Sequence, residues 1–360
     1  MTRFKNALIN GTLMDFGVEK GKFAYLEPSG FAPDGEDLEG REVIPGLIDI
    51  HTHGCMGLDT MDGVEAIAKM SGYYAQNAVT CFYPTTMSDY KDSLVELTAA
   101  LPETTGAVPL GYHLEGPFIA LSHKGAQAEG PIRAADLAHL ALYNNIGLIT
   151  LAPEFPGAME AIRKSPVPVS LGHTGCDYDL AMEAFEKGAV CVTHMCNAMP
   201  PIHHRQPSLM GAALMSNAYI QVICDLLHLH PAMVLLLYRA FGPHRMILIS
   251  DSMRATGLPD GTYDLGGQEV TVQEGVSRLP DGTIAGSTAN LLYCVKQAIS
   301  IGIPKEDAVK MASQTPADMM GLNKGELAVG KDADFAVMDE AFTPVAVYYK
   351  GTKRSFFNEK

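Results

Sequence analysis

No run of apolar residues in this 360-residue chain approaches the ~20 that a membrane-spanning helix needs; the longest, Ala232 to Tyr238, falls far short. The N-terminal stretch MTRFKNALINGTLMDFG also lacks the continuous apolar segment of an export signal, so a soluble, unexported protein is expected. Positive charge is scarce. Lys and Arg number 26 against 41 Asp and Glu, a net −15 whose field repels polyanions and argues against nucleic acid as a partner. An anionic small ligand then needs a cationic pocket of its own. The seven cysteines (Cys55, Cys81, Cys176, Cys191, Cys196, Cys224, Cys294) contain no CxxC pair, and several lie inside apolar runs such as YIQVIC. That argues against a disulfide framework or a zinc finger and leaves reduced core thiols of a cytoplasmic protein as the expectation.

What is present is a globular composition: 47% hydrophobic and 19% charged residues exclude a disordered chain. At about 150 residues per domain the length allows two domains, or one large barrel with an appendage. Short strand patterns occur at both ends, FKNALIN and KFAYLE in the first 40 residues and ADFAVMD and PVAVYYK in the last 30. Neither end can fold alone, which predicts one small β-sandwich-like domain built from both termini, residues 1–43 with 332–360. Between them, over residues 44–331, strand then helix repeats eight times. The strands read EVIPGLIDI, AVTCFYP, VPLGYHL, IGLITLA, VPVSLG, AVCVT, YIQVIC and RMILIS, and each is followed by a helical pattern such as GVEAIAKMSGYYAQNA or PAMVLLLYRAFG. Eight successive βα units predict an α/β fold, a (β/α)₈ TIM-type barrel, with strands apolar on both faces. An insertion between residues 254 and 286 carries DG and GG turn signals and predicts an added hairpin.

A barrel places its active site just beyond the C-terminal ends of its strands. Those positions hold His51 and His53 after strand 1, Glu115 after strand 3, His173 after strand 5, His194 after strand 6, His228 after strand 7 and Asp251 after strand 8. A single polar residue at a strand end is an ordinary structural feature; six strand ends converging with metal-ligand types are not. In DIHTH the two imidazoles at i and i+2 share one side of the strand and can reach one cation. No strand-end Lys offers a carbamylated bridge, so Glu115 is the candidate bridging carboxylate. Such N/O donors suit Zn²⁺ or Fe²⁺, as one or two ions. A metal on Glu115, His173 and His194 with an open position makes a hydroxide nucleophile from water. Asp251 can accept the water proton and return it to a departing amine; its alternative role is a loop carboxylate capping the next turn.

The segments HLEGPF, GHTG, THMCNAMPP, HHR, SDSM with GLPDGTYDLGG, and DGTIAGS closely resemble, in order and spacing, the N-acetylglucosamine-6-phosphate deacetylases of the amidohydrolase superfamily. The resemblance runs from IPGLIDIHTHG to GELAVGKDADFAVMD. It implies a metal-dependent barrel with a small β-domain, working as a homodimer, that hydrolyses N-acetyl-D-glucosamine 6-phosphate to D-glucosamine 6-phosphate and acetate. By motif, Glu115, His173 and His194 match the principal metal ligands and Asp251 the acid-base group and a further ligand. His51 and His53 match the extra ligands of two-metal members. Asn197, Ala198, Arg205 and His228 match residues that contact the sugar phosphate, with Arg205 and His228 able to come from the neighbouring subunit. Ala126 and Gln127 fall where the family contacts substrate, Gln127 standing where some members carry a histidine. Asp225 matches the residue before the pocket histidine, and Ile284, Ala285 and Gly286 match a pocket loop. Gln206 and Ser208 in HHRQPS, and Leu226 after Asp225, depart from the family pattern and bear on sugar specificity. The competing readings are N-acetylgalactosamine-6-phosphate deacetylation, another superfamily hydrolysis, or a sugar-phosphate-binding regulator on a degenerate barrel.

Overall fold

The computed structural model describes residues 1–356; the last four residues of the expected terminal domain, 357–360, lie outside them. The predicted strand EVIPGLIDI is divided at Gly46. Glu42–Pro45 joins a sheet made from both ends of the chain, and Leu47–Thr52 opens the barrel. No side chain fits at residue 46, because a Cβ there would collide with Thr80.

The terminal sheet interleaves the two ends: Glu42–Pro45 pairs antiparallel with Phe335–Met338 on one side and touches Thr2–Ile9 on the other. Its own core is aromatic. Phe4 stacks on Phe16 at 4.8 Å between ring centroids, and Phe335 on Tyr348 at 4.4 Å. One of its strands, Thr12–Glu19, is absent from the sequence reading. Its alternation is broken by Gly17, against which the Tyr25 ring lies, and by Asp15, fully buried but accepting from the backbone N–H groups of Asn6, Gly30 and Ala32.

The eight expected barrel strands are Leu47–Thr52, Val79–Thr86, Tyr112–Glu115, Ile146–Leu151, Val169–Leu171, Cys191–Val192, Tyr219–Ile223 and Met246–Ile249. All neighbours are parallel, in chain order. The ring closes where Asp251 N–H donates to His51 O at 2.9 Å and His53 N–H to Ser252 O at 2.8 Å. These two bonds join the rim of the last strand to the HxH of the first. Helices cover the outside through one apolar cluster that includes Ile67, Leu94, Ile149, Ala184, Leu237 and Val295.

Two local expectations are corrected. The helix expected over AADLAHLALYNN is one turn, Leu137–Leu140; Asp136 caps its start, and Asn145, at φ 55°, turns its amide to Thr98 O. The insertion is a three-stranded antiparallel sheet, Gly261–Leu265, Gln268–Gln273 and Val276–Arg278, rather than a hairpin. Its third strand is short and partly polar and carries no alternating pattern. Two further helices, Lys305–Met311 and Gln314–Met319, follow the eighth barrel helix.

Candidate metal centre

The strand ends bring their polar residues to one buried point. His173, His194 and Asp251 each take a left-handed backbone, at φ 49°, 28° and 47°, immediately beyond their strands. Side-chain-bearing residues avoid that region, and its repetition at the ends of the fifth, sixth and eighth strands turns each side chain inward at a cost of order 1–3 kcal/mol apiece.

Glu115 lies at the centre. Its Oε1 is 3.1 Å from His194 Nε2, 3.2 Å from His173 Nε2 and 3.3 Å from His51 Nε2, while its Oε2 is 3.3 Å from His53 Nε2. The two pairs of imidazoles are themselves close: His173 and His194 Nε2 are 3.1 Å apart, and His51 and His53 Nε2 are 3.3 Å apart. Asp251 Oδ1 closes the His51–His53 pair from the far side, 3.4 Å from His51 and 3.3 Å from His53. Two candidate ligand triads therefore share one carboxylate, His51, His53 and Glu115 on one side and Glu115, His173 and His194 on the other.

The donor set fits divalent cations. Two ligands at about 2.0–2.1 Å from a tetrahedral ion lie roughly 3.3 Å apart, the spacing these atoms keep. The far ring nitrogens hold tautomers that free Nε2 for a cation: His173 Nδ1–H donates to His123 O at 2.9 Å, and His51 Nδ1–H to Gln221 Oε1 at 3.0 Å. Two buried carboxylates among imidazoles also leave a charge that a divalent ion neutralises. In the protein alone the imidazoles meet that demand. Burial opposes a charge on His53, but its contacts with Asp251 and Glu115 push its pKa up to about 10. Burial likewise raises Asp251, yet His51 and His53 bring it down to about 2. Glu115 is held well below the usual carboxylate range by His51 and His173 against its burial.

The centre opens into a cavity of about 450 Å³ whose walls include His53, Glu115, His173, His194 and Asp251. Of the residues expected to meet substrate, Ala126, Gln127, Asn197, Ala198, His228, Ile284 and Gly286 line it. Ala285 points away, into the apolar cluster of Met87, Met253 and Leu265. Asp225 lies beneath His228: Oδ2 accepts from His228 Nδ1–H at 2.7 Å, and Oδ1 from the backbone N–H groups of Leu227 and His228. Burial disfavours charge on both partners, but the contact lowers the Asp225 pKa and raises that of His228. Arg205 does not line the cavity of its own chain; it is exposed, with its guanidinium 2.7 Å from His204 Nε2. No Lys or Arg is among the lining residues.

Sequence reasoning missed the supports of the site. Gln221 holds the His51 ring, and a polar residue inside the apolar run YIQVIC was the available signal. His113, in the third strand, bonds Thr85 and Thr150 at 3.2 and 2.7 Å and packs edge-on against His51. Burial first, then the neighbouring His51, keeps its pKa well below the ordinary value. The cavity wall adds Met87, which lies outside the quoted motifs, and Leu265 and Thr283, which lie within GLPDGTYDLGG and DGTIAGS but are not of a metal-ligand or acid-base type.

A parallel β/α barrel whose C-terminal rim gathers four imidazoles and two carboxylates defines a class, the metal-dependent hydrolases. The model of the amidohydrolase family matches residues 43–358. The chain is 36% identical over 346 residues to an N-acetylglucosamine-6-phosphate deacetylase of Lysinibacillus sphaericus, covering 91% of this chain and 89% of that protein. It belongs to the amidohydrolase family, in the branch of the N-acetylglucosamine-6-phosphate deacetylases. Its fold is similar to the deacetylase of that name from Pasteurella multocida, with TM-score 0.91, 27% identity, and coverage of 98% and 99% of the two chains. It is also similar to the Mycobacterium smegmatis enzyme in complex with N-acetyl-D-glucosamine 6-phosphate, with TM-score 0.89, 27% identity and 98% coverage of both chains.

Proposed function

We propose that this chain hydrolyses the acetamide of N-acetyl-D-glucosamine 6-phosphate, giving D-glucosamine 6-phosphate and acetate. The observation that carries the reading is the shared Glu115 between two imidazole pairs, with Asp251 on the same cavity wall, in a chain of this family. Glu115, His173 and His194 would hold the principal ion, and His51 and His53 with Glu115 a second, with Zn²⁺ or Fe²⁺ the cations suited to these donors. When bound, such an ion supplies Lewis acidity toward the amide carbonyl and toward water.

The chain's own residues do the rest. Asp251 Oδ takes the proton of the attacking water and delivers it to the departing sugar nitrogen, so that the amine leaves neutral. The barrel floor beneath excludes water, because His113, Thr150 and Thr193 are joined to one another by hydrogen bonds and fully buried. His228, set by Asp225, presents its Nε2–H to the cavity as a donor for an anionic or hydroxyl group of the substrate, and Asn197, Ala126, Ala198, Ile284 and Gly286 shape the sugar site. The phosphate needs more positive charge than one chain's cavity wall offers. We therefore include in the proposal a homodimer in which Arg205 of one protomer reaches the cavity of the other. A division into a terminal domain, 1–43 with 332–360, and a barrel, 44–331, belongs to the same reading, with Ile44 and Pro45 moved to the terminal side because they pair with Phe335–Met338, as does a cytoplasmic location. No helix among the described residues is long and apolar enough to cross a membrane.

Acetate release from N-acetyl-D-glucosamine 6-phosphate, its galacto epimer and the unphosphorylated sugar tests the reading. The gluco phosphate should be turned over fastest. Equal or faster release from the galacto phosphate overturns the epimer assignment, and no release from any of the three overturns the reaction.

A further inference from the structure

Gln127 was expected to face substrate, yet both ends of its side-chain amide have protein partners. The residue is 2% exposed. Its Oε1 accepts from the Ser88 backbone N–H at 2.6 Å, and its Nε2–H donates to Glu115 Oε2 at 2.9 Å. Because a backbone N–H can only donate, it fixes which end of the amide is oxygen, and the donor end is left facing the carboxylate. The loop that carries Gln127 is pinned from the other side by the inserted sheet, where Gln268 Nε2–H donates to Ala126 O at 2.5 Å. The amide thus ties the chain beyond the second barrel strand to the end of the third.

We propose that Gln127 is a positioning residue for the shared carboxylate, and that it serves the two triads unequally. The inference rests on the two-ion reading of the centre. Oε1 of Glu115 faces His173, His194 and His51, whereas Oε2, among the described residues, faces His53 and Gln127. Holding Oε2 in place is therefore what keeps a carboxylate oxygen within reach of the pair that includes His53. Without the amide, Oε2 keeps only its contact with His53 while Oε1 stays held by three imidazoles, so the carboxylate can pivot on Oε1 and the triad of His51 and His53 loses its second oxygen first. The other triad keeps Oε1 between its two imidazoles.

The test is calorimetric titration of metal-stripped protein with Zn²⁺ alone. Gln127→Met keeps the length and volume of the side chain and removes both hydrogen bonds. The wild type should take up two ions. The variant should take up one with unchanged affinity and the other roughly 10–100-fold more weakly, the usual effect of losing a partner that orients a ligand. His51→Ala provides the reference for loss of that same ion. Should Gln127→Met fail to fold, judged by the melting of the metal-free protein, Gln127→Asn replaces it, since the shorter side chain cannot span Ser88 and Glu115 and should show the same selective loss. Two ions at wild-type affinity, or parallel weakening of both, overturns the role of Gln127. A single ion in the wild type overturns the two-ion reading instead, and the wild-type titration alone tells these failures apart.

Discussion

Asp251 closes one side of the candidate metal centre and also lines the cavity, which gives it access both to an attacking water and to a leaving amine. Asp251→Asn keeps its shape and removes its ability to accept a proton. Turnover should fall about 10²- to 10⁴-fold while elemental analysis finds the ion on Glu115, His173 and His194 retained. A loss below about tenfold would assign the proton transfer to another group. The Asp225–His228 pair makes a separate prediction at this scale. Asp225 is shifted down from 3.8 and His228 up from 6.5. A lowered carboxylate adds stability above its unfolded value and loses it as pH falls through the folded one. A raised imidazole adds stability below 6.5 and loses it as pH climbs through its folded value. The stability difference between wild type and Asp225→Asn should therefore be full between 3.8 and 6.5 and shrink on both sides, as read by chemical denaturation across pH. A difference that is flat from acid to alkaline pH would contradict an ionised pair.

Elements fix where these residues stand, and the repeating strands and helices were legible because parallel strands are apolar on both faces and end abruptly in polar residues. The ligand types at those ends were legible for the same reason. The strand Thr12–Glu19 and the third strand of the insertion were not, because a buried Asp15, a sterically required Gly17 and a short polar strand carry no periodic signal. Nor could the sequence show that Gln127 turns to Glu115, since the contact depends on how two loops approach across the barrel mouth. A buried ion pair lies where the terminal sheet meets the barrel: Lys324 Nζ lies 2.7 Å from Asp334 Oδ2, 3.4 Å from Cys81 Sγ in the second barrel strand, and 4.6 Å from the centre of the Tyr349 ring. Removing one partner of a buried pair leaves the other charge uncompensated. Lys324→Ala should cost about 3–5 kcal/mol in denaturant unfolding, with the metal content of the folded fraction unchanged. A cost below about 1 kcal/mol, the range of exposed pairs, would show that the junction does not depend on it.

At the scale of the whole molecule, a net charge of −15 opposes a phosphate dianion, and the cavity of one chain adds no Lys or Arg to offset it. Exposed Arg205 supplies that charge in the proposed dimer. Its charge-assisted hydrogen bond contributes about 1.5–3 kcal/mol, so Arg205→Ala should raise KM for the phosphorylated sugar roughly 10- to 150-fold and leave the weak turnover of the unphosphorylated sugar nearly unchanged. Equal losses on both substrates would place the phosphate elsewhere. In the proposed reaction one buried cluster both holds the ion and performs the hydrolysis. The most direct measurement of that double role is paired elemental analysis and acetate release for His194→Ala, purified alongside the wild type in metal-replete buffer. The variant should lose the ion held by Glu115, His173 and His194 together with measurable turnover of N-acetyl-D-glucosamine 6-phosphate. Full occupancy with wild-type turnover in His194→Ala would contradict that double role.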